Sequence, residues 1–210
     1  MTDELRHVNL DARQIRVLAH PLRSRLVGQL RVGGPATATQ LAAVFRTNTG
    51  ATSYHLRQLA EVGLVVEEPS GRGRQRWWRA AHDVSSWERD GFPDDPDAQA
   101  AADWLTSNFA RNLAERVQDW LIATPTEPEA WRLAAQFSDY ILRLNATQLT
   151  AMTAELDEVV ERWRRQTTAA PAEDARTVLL YLYPVPLPQP DNGAGSDGGT
   201  DPDAGLGTES

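Results

Sequence analysis

The stretch from Leu41 to Val66 constrains this chain more than any other part of it. Leu41, Ala42 and Phe45 share one face of a short helix. Arg46-Thr47-Asn48-Thr49-Gly50 is a polar turn. A further helix is predicted from about Gly50 to Val62, with Thr52, Leu56 and Leu59 recurring at helical spacing and Gly63 as its stop. Leu64-Val65-Val66-Glu67-Glu68 then reads as a strand, Pro69-Ser70-Gly71-Arg72-Gly73 as a turn, and Arg74-Gln75-Arg76-Trp77-Trp78-Arg79 as the return strand of a hairpin with a basic tip.

The residues upstream fit the same plan. Asp11 to Ala19 is predicted to be a helix, broken at His20-Pro21. Pro21 suits the first turn of a second helix, where a missing N–H costs nothing. That helix carries Leu22, Leu26, Val27 and Leu30 and ends at Gly33-Gly34-Pro35. Thr37 or Thr39 can cap the third. The expected order is four helices and a hairpin, preceded by a loose N-terminus.

The remainder reads differently. Asp90 to Pro96 has the composition of a linker, and a long helix is expected from Asp97 to about Ala123, ended by Pro125 and Pro128. Ser138 to Leu144 is read as a strand with Tyr140, Leu142 and Leu144 on one face, followed by a helix capped by Thr147 and ending near Arg165. Thr177 to Tyr183 is the clearest strand of this half, halted by Pro184, Pro186 and Pro188. From Gln189 onward Gly, Asp, Pro, Ser and Thr dominate, and such a stretch buries too little to offset its ordering entropy, so disorder is expected. The expected fold class is mainly α with small β elements. The expected domains are 1–82 (four helices and hairpin), 83–96 (linker), 97–187 (a small α+β domain) and 188–210 (disordered tail).

Charge decides what the first module meets. The chain carries a net charge of -8, but the charge is unevenly placed. Residues 1–90 hold 13 Arg against 9 acids, and residues 91–210 hold 8 Arg against 20 acids. A basic half joined to an acidic half points to different partners for the two. The absence of cysteine excludes disulfides, thiolate metal sites and a cysteine nucleophile. No apolar run approaches the roughly 20 residues of a membrane span, and Met1 to Arg6 has no signal-peptide pattern, so no membrane partner and a cytoplasmic location are expected. No Gly-rich phosphate loop, Gly-x-Ser-x-Gly elbow or paired metal ligands stand out, so no catalytic residue, metal or cofactor is assigned.

A helix, a tight turn, a second helix and an arginine-bearing hairpin together suit duplex DNA. On the second helix, Arg57 and Gln58 can make bidentate contacts to guanine and adenine edges in the major groove. Ser53 and Tyr54 can reach phosphates or base edges. Thr49, Gly50 and Ala51 open the helix with small or polar side chains that let the backbone approach, and its first N–H groups suit a phosphate. Arg72, Arg74 and Arg76 place a cationic hairpin tip beside it. The plainer alternative is that these are ordinary solvated positions of a module that binds protein instead.

Leu18-Ala19-His20-Pro21-Leu22-Arg23 with Arg25-Leu26, then Thr52-Ser53-Tyr54-His55-Leu56-Arg57-Gln58-Leu59 running into Ala60-Glu61-Val62-Gly63-Leu64-Val65, resembles the ArsR-type winged helix-turn-helix regulators over about residues 11–82. The resemblance implies a homodimeric transcriptional regulator, usually a repressor, on a partly palindromic operator. It implies that residues 49–58 read DNA and that 71–76 form the wing tip. Metal-sensing members use cysteines, or His and carboxylate sets across the dimer. This chain has no cysteine, and His7, His20, His55 and His82 form no ligand pair by spacing. His20 is expected to cap or pack at the proline junction, and His55 to be a packed, hydrogen-bonded ring. Trp77 and Trp78 should face opposite sides of their strand. Trp104, Trp120, Trp131 and Trp163 with Phe109, Phe137 and Tyr140 are expected in a core or dimer interface, the alternative being a pocket for a small-molecule effector.

Overall fold

The computed structural model describes residues 6–69, 75–87, 91–170 and 172–188. The expected tail at 189–210 and the wing-tip residues Arg72 and Arg74 lie outside them. The described chain runs β1 (His7–Asn9), α1 (Ala12–Leu18), α2 (Pro21–Gly33), β2 (Ala36–Thr37), α3 (Ala38–Val44), α4 (Thr49–Glu61), β3 (Val65–Glu68), β4 (Trp77–Ala80), β5 (Val84–Ser86), α5 (Pro96–Ala123), α6 (Glu129–Ala134) and α7 (Ala146–Ala169), with a 3-10 turn at Thr124–Thr126. It is mainly α with small β elements, as expected.

Side-chain capping sets the helix starts. Asp11 and Gln14 form a reciprocal capping box on α1, Thr37 and Gln40 do the same on α3, and Asn48 accepts from the Ala51 N–H at 2.7 Å to start α4. His20 caps α2 as expected, its Nδ1 accepting from the Leu22 and Arg23 N–H groups at 3.1 and 3.4 Å, with Pro21 in the first turn. After α4 the chain reverses at Gly63, whose φ of 72° belongs to the left-handed region that a residue without Cβ enters at little cost.

Helices α1 to α4 and the three-stranded sheet β2-β4-β3 enclose one core of Ile15, Leu26, Leu30, Leu41, Leu56, Leu59 and Leu64. In the sheet β3 and β4 are antiparallel, with Val65 opposite Ala80 and Glu68 opposite Trp77, and β2 adds to the other edge of β4. Trp78 is buried into this core and Trp77, on the other face, is half-buried. The first half of α5 belongs to the same core: Ala98, Ala101, Ala102 and Leu105 are buried and pack with α1. Small residues there let the two helices approach closely.

Three departures from the sequence reading have physical causes. Residues 6–10 of the expected loose N-terminus are held down, because β1 pairs in parallel with β5, within the stretch read as linker, and Arg6 clasps Asp83 by two side-chain hydrogen bonds of 2.9 and 3.1 Å; residues 1–5 lie outside the described residues. Trp87 also ties that stretch down, donating from Nε1 to Thr106 Oγ1 and meeting Phe109 edge-on. Segments 138–144 and 177–183 are not strands within one chain, since neither finds a ladder partner. Their strand-like pattern is real, but a strand exists only where another strand supplies hydrogen bonds. Helix α7 starts at Ala146, because Asn145, rather than Thr147, caps it through a box with Gln148.

Candidate nucleic-acid interface

Helix α4 stands with one side sunk in the core and the other open. Thr52, Leu56 and Leu59 are fully buried, and Thr52 Oγ1 donates to the Asn48 carbonyl at 3.1 Å. This fixes the rotation of the helix. Thr49, Gly50, Tyr54 and Arg57 are therefore exposed, and Ala51, Ser53 and Gln58 lie half-buried at the margins. The seven α4 positions singled out from the sequence thus share the open side.

The turn before α4 is tight. Phe45 closes α3, and Arg46 enters the left-handed region at φ 51°, the only described non-glycine residue to do so. Such a backbone costs an arginine about 1–2 kcal/mol. The Thr47 N–H bonds back to the Ala42 carbonyl at 2.9 Å. The Arg25 guanidinium lies over the Phe45 ring at 4.6 Å, bracing the turn against α2.

A concave groove of about 400 Å³ lies between α4 and the hairpin. Thr49, Ser53 and Arg57 of α4 form one wall, and Gln75, Arg76 and Trp78 of the returning strand form the other. Thr37, Ala38 and Thr39 at the start of α3 close one side. None of these described lining residues is acidic. Arg76 leans toward Glu67 across the hairpin at 3.7 Å, a contact between two exposed groups that solvent screens. The Gln58 amide donates to Glu61 at 3.1 Å, so a base edge would compete with that carboxylate for it.

Sequence reasoning missed Thr39 and Gln75 as wall residues. Thr39 was legible only as a helix start, and its approach to α4 depends on how α3 and α4 cross. Ser53, Arg57 and Arg76 are brought to one concavity. Tyr54 sits elsewhere on α4, edge-on to His55 at 5.3 Å between ring centres. The ring of His55 lies 4.6 Å from His20, and both titrate below the ordinary imidazole value, through burial first and the Arg23 charge second. The expected hydrogen bond of His55 is not made at Nδ1, which is buried without a partner. A neutral His20 is what its role as helix cap requires, since only an unprotonated Nδ1 can accept.

The remaining sequence candidates are dispersed. His82 is 3% exposed, neither ring nitrogen has a hydrogen-bond partner, and its pKa is pushed down to about 4 by burial and then by Arg31. Among the described residues no group of three or more His, Asp or Glu is placed to hold a metal, and no described helix is long and apolar enough to cross a membrane. Of the described aromatic residues of the second half, Trp104 and Phe109 pack against the core. Phe109 meets Trp87, Trp131 lies under the Arg176 guanidinium, and Phe137, Tyr140 and Trp163 are exposed.

Residues 18–68, from the end of α1 through β3, match the family described as a helix-turn-helix domain. Among solved structures, a possible transcriptional regulator for arsenical resistance is 34% identical, over 49% of this chain and 94% of that one, with a TM-score of 0.30. Lactococcus lactis ZitR, a doubly substituted variant in apo form, is 12% identical over 66% of this chain and 83% of that one, with a TM-score of 0.31. No curated protein matches the chain.

Proposed function

Residues 18–68 belong to the helix-turn-helix domain family of ArsR-like regulators, and from that premise we propose that this chain is a dimeric transcriptional repressor that reads a palindromic operator with α4 and the basic hairpin. One observation carries the reading: Ser53 and Arg57 of α4 and Arg76 of the hairpin face one groove whose described walls hold no carboxylate. A phosphate strand entering it meets two guanidinium groups and several hydroxyls. The exposed face of α4, with Thr49, Gly50, Ala51, Ser53, Tyr54, Arg57 and Gln58, enters the major groove.

Affinity and specificity then have separate sources. Arginine contacts to phosphate release counterions and supply a salt-dependent, sequence-blind attraction. Arg57 and Gln58 discriminate bases by paired hydrogen bonds. Two copies related by a two-fold axis set half-sites about one helical turn apart, roughly 34–36 Å, or a multiple. A small-molecule effector, if one acts, changes DNA affinity only by binding one relative arrangement of the two α4 helices better than another.

The test is selection of bound duplexes from a random pool, followed by affinity measurements on the selected site. The reading expects an inverted repeat, and it expects Arg57→Ala to cost about 1–3 kcal/mol on that site and relax the preference at one position. A pool that yields no preferred sequence, with binding that does not weaken in salt, contradicts it and favours a protein-binding module.

A further inference from the structure

Residues beyond α5 leave exposed what a folded chain hides. No residue of α6 or α7 is buried. Tyr140 and Ile141 are 82% and 89% exposed, Val178 is 70% exposed, and Leu142, Leu180 and Tyr183 are also open. Among the described residues no backbone hydrogen bond within the chain reaches 136–144 or 176–188. The chain exposes 16345 Å², whereas a folded monomer of its 23.2 kDa exposes about 9,700 Å². Granting every undescribed residue the area of an unfolded stretch still leaves an excess on the order of 2,000 Å². That is the scale one protomer hides in an obligate dimer.

The chemistry of this region selects the occupant. Residues 131–188 hold 6 Arg and 7 acids, so the strong negative charge of the second half lies elsewhere, and this part has no field to repel a copy of itself. On the α7 face that carries Val159 and Trp163 the charges are ordered: Glu155 and Glu158 come first and Arg162 follows, while Glu161 pairs within the helix with Arg164 and Arg165. Two such helices laid antiparallel place acid against base twice, the self-complementarity a two-fold axis requires. Val159 and Trp163, one turn apart and exposed, give that contact an apolar centre. Segment 177–183 alternates Val178, Leu180 and Leu182 with Leu179, Tyr181 and Tyr183, apolar on both faces, as in a strand covered on both sides.

We propose that residues 131–188 complete their fold on a second copy of this chain: the extended segments 138–144 and 177–183 of two copies pair into an intermolecular sheet, with the α7 helices antiparallel. The inference rests on the dimeric part of the function proposed above and assigns its interface. It also accounts for a strand-like sequence that makes no ladder within one chain.

The full-length chain is the material for the test. It has no cysteine, so any disulfide formed by a single introduced cysteine joins two copies. Single cysteines are placed at each position from 177 to 183, with Glu61→Cys on exposed α4 as control, and oxidised. Sedimentation velocity is run on the wild type and on Val178→Asp/Leu180→Asp. The expected result is a wild-type mass twice 23.2 kDa, cross-linking within 177–183 but not at Glu61→Cys, and an Asp variant that is monomeric with unchanged circular dichroism from the winged part. A monomeric wild type overturns both this inference and the dimeric reading, and means that something else covers the face. A dimer that survives the Asp pair, without cross-links in 177–183, overturns the interface alone. Salt-dependent DNA binding measured on the same samples reports on the groove separately.

Discussion

Residues 6–123 and residues 124–188 obey the same chemistry and reach opposite results. In the first region helices no longer than α4 hold their places because each lends two or three buried side chains to one shared core. In the second, the 24 residues of α7 bury none. Helical periodicity and capping are present in both, and the Asn145 box on α7 is as complete as the Asp11 box on α1. Local signals therefore determine where a helix begins. They do not determine whether it has anything to pack on.

The sharpest way to break this contrast is to truncate a side chain in each region. Leu56→Ala should lower the unfolding free energy by about 2–5 kcal/mol in urea titration, because the cavity lies in a core that cannot collapse. Leu180→Ala should leave the unfolding of the winged part unchanged and weaken only self-association. Equal losses at both sites would mean that the two regions share one core.

Protonation separates the regions next. His82, sealed in the first region, has its pKa lowered to about 4 from an unfolded value near 6.5. A depressed imidazole binds its proton less readily when folded than when unfolded. Its contribution is fully present above about pH 6.5 and is lost as pH falls toward 4, so stability should rise with pH across that window. The slope is at most about 1.4 kcal/mol per pH unit for one proton. The lowered values of His20 and His55 act in the same direction. Thermal melts of wild type and His82→Phe between pH 4 and 7 should show a smaller pH dependence in the variant, and an identical dependence would remove His82 from the account. A smaller loss is expected from Asn48→Ala, about 1 kcal/mol of stability through loss of the α4 cap, measured by the same titration. It should leave the oligomeric state unchanged.

Much of the first region was legible because its signals are local. His20-Pro21, Gly63 and the spacing of Thr52, Leu56 and Leu59 mark the start of α2, the end of α4 and its rotation without knowledge of any partner, whereas the Asn48 cap of α4 was read only as part of a polar turn. The pairing of His7–Asn9 with Val84–Ser86 was not legible, since three residues carry no periodicity and the parallel partner lies 77 positions away. The left-handed backbone at Arg46 had no signal either, because arginine is not a residue that invites it. In the second region the reading of 138–144 and 177–183 as strands was wrong for the single chain, because pairing is a property of two segments and neither finds a ladder partner within it. The groove was half legible. Arg57 and Ser53 followed from helix rotation, whereas Thr39 and Gln75 depended on how α3 and β4 approach α4.

The central claim is that α4 and the hairpin grip DNA through one groove, and the most direct measurement is a salt titration of duplex binding for the wild type, Arg57→Ala and Arg76→Ala on a selected operator and a scrambled duplex. The account predicts that Arg76→Ala weakens binding to both duplexes alike and lowers the salt slope by about one unit, while Arg57→Ala costs affinity chiefly on the operator. Wild-type affinity and an unaltered slope in both variants would contradict it.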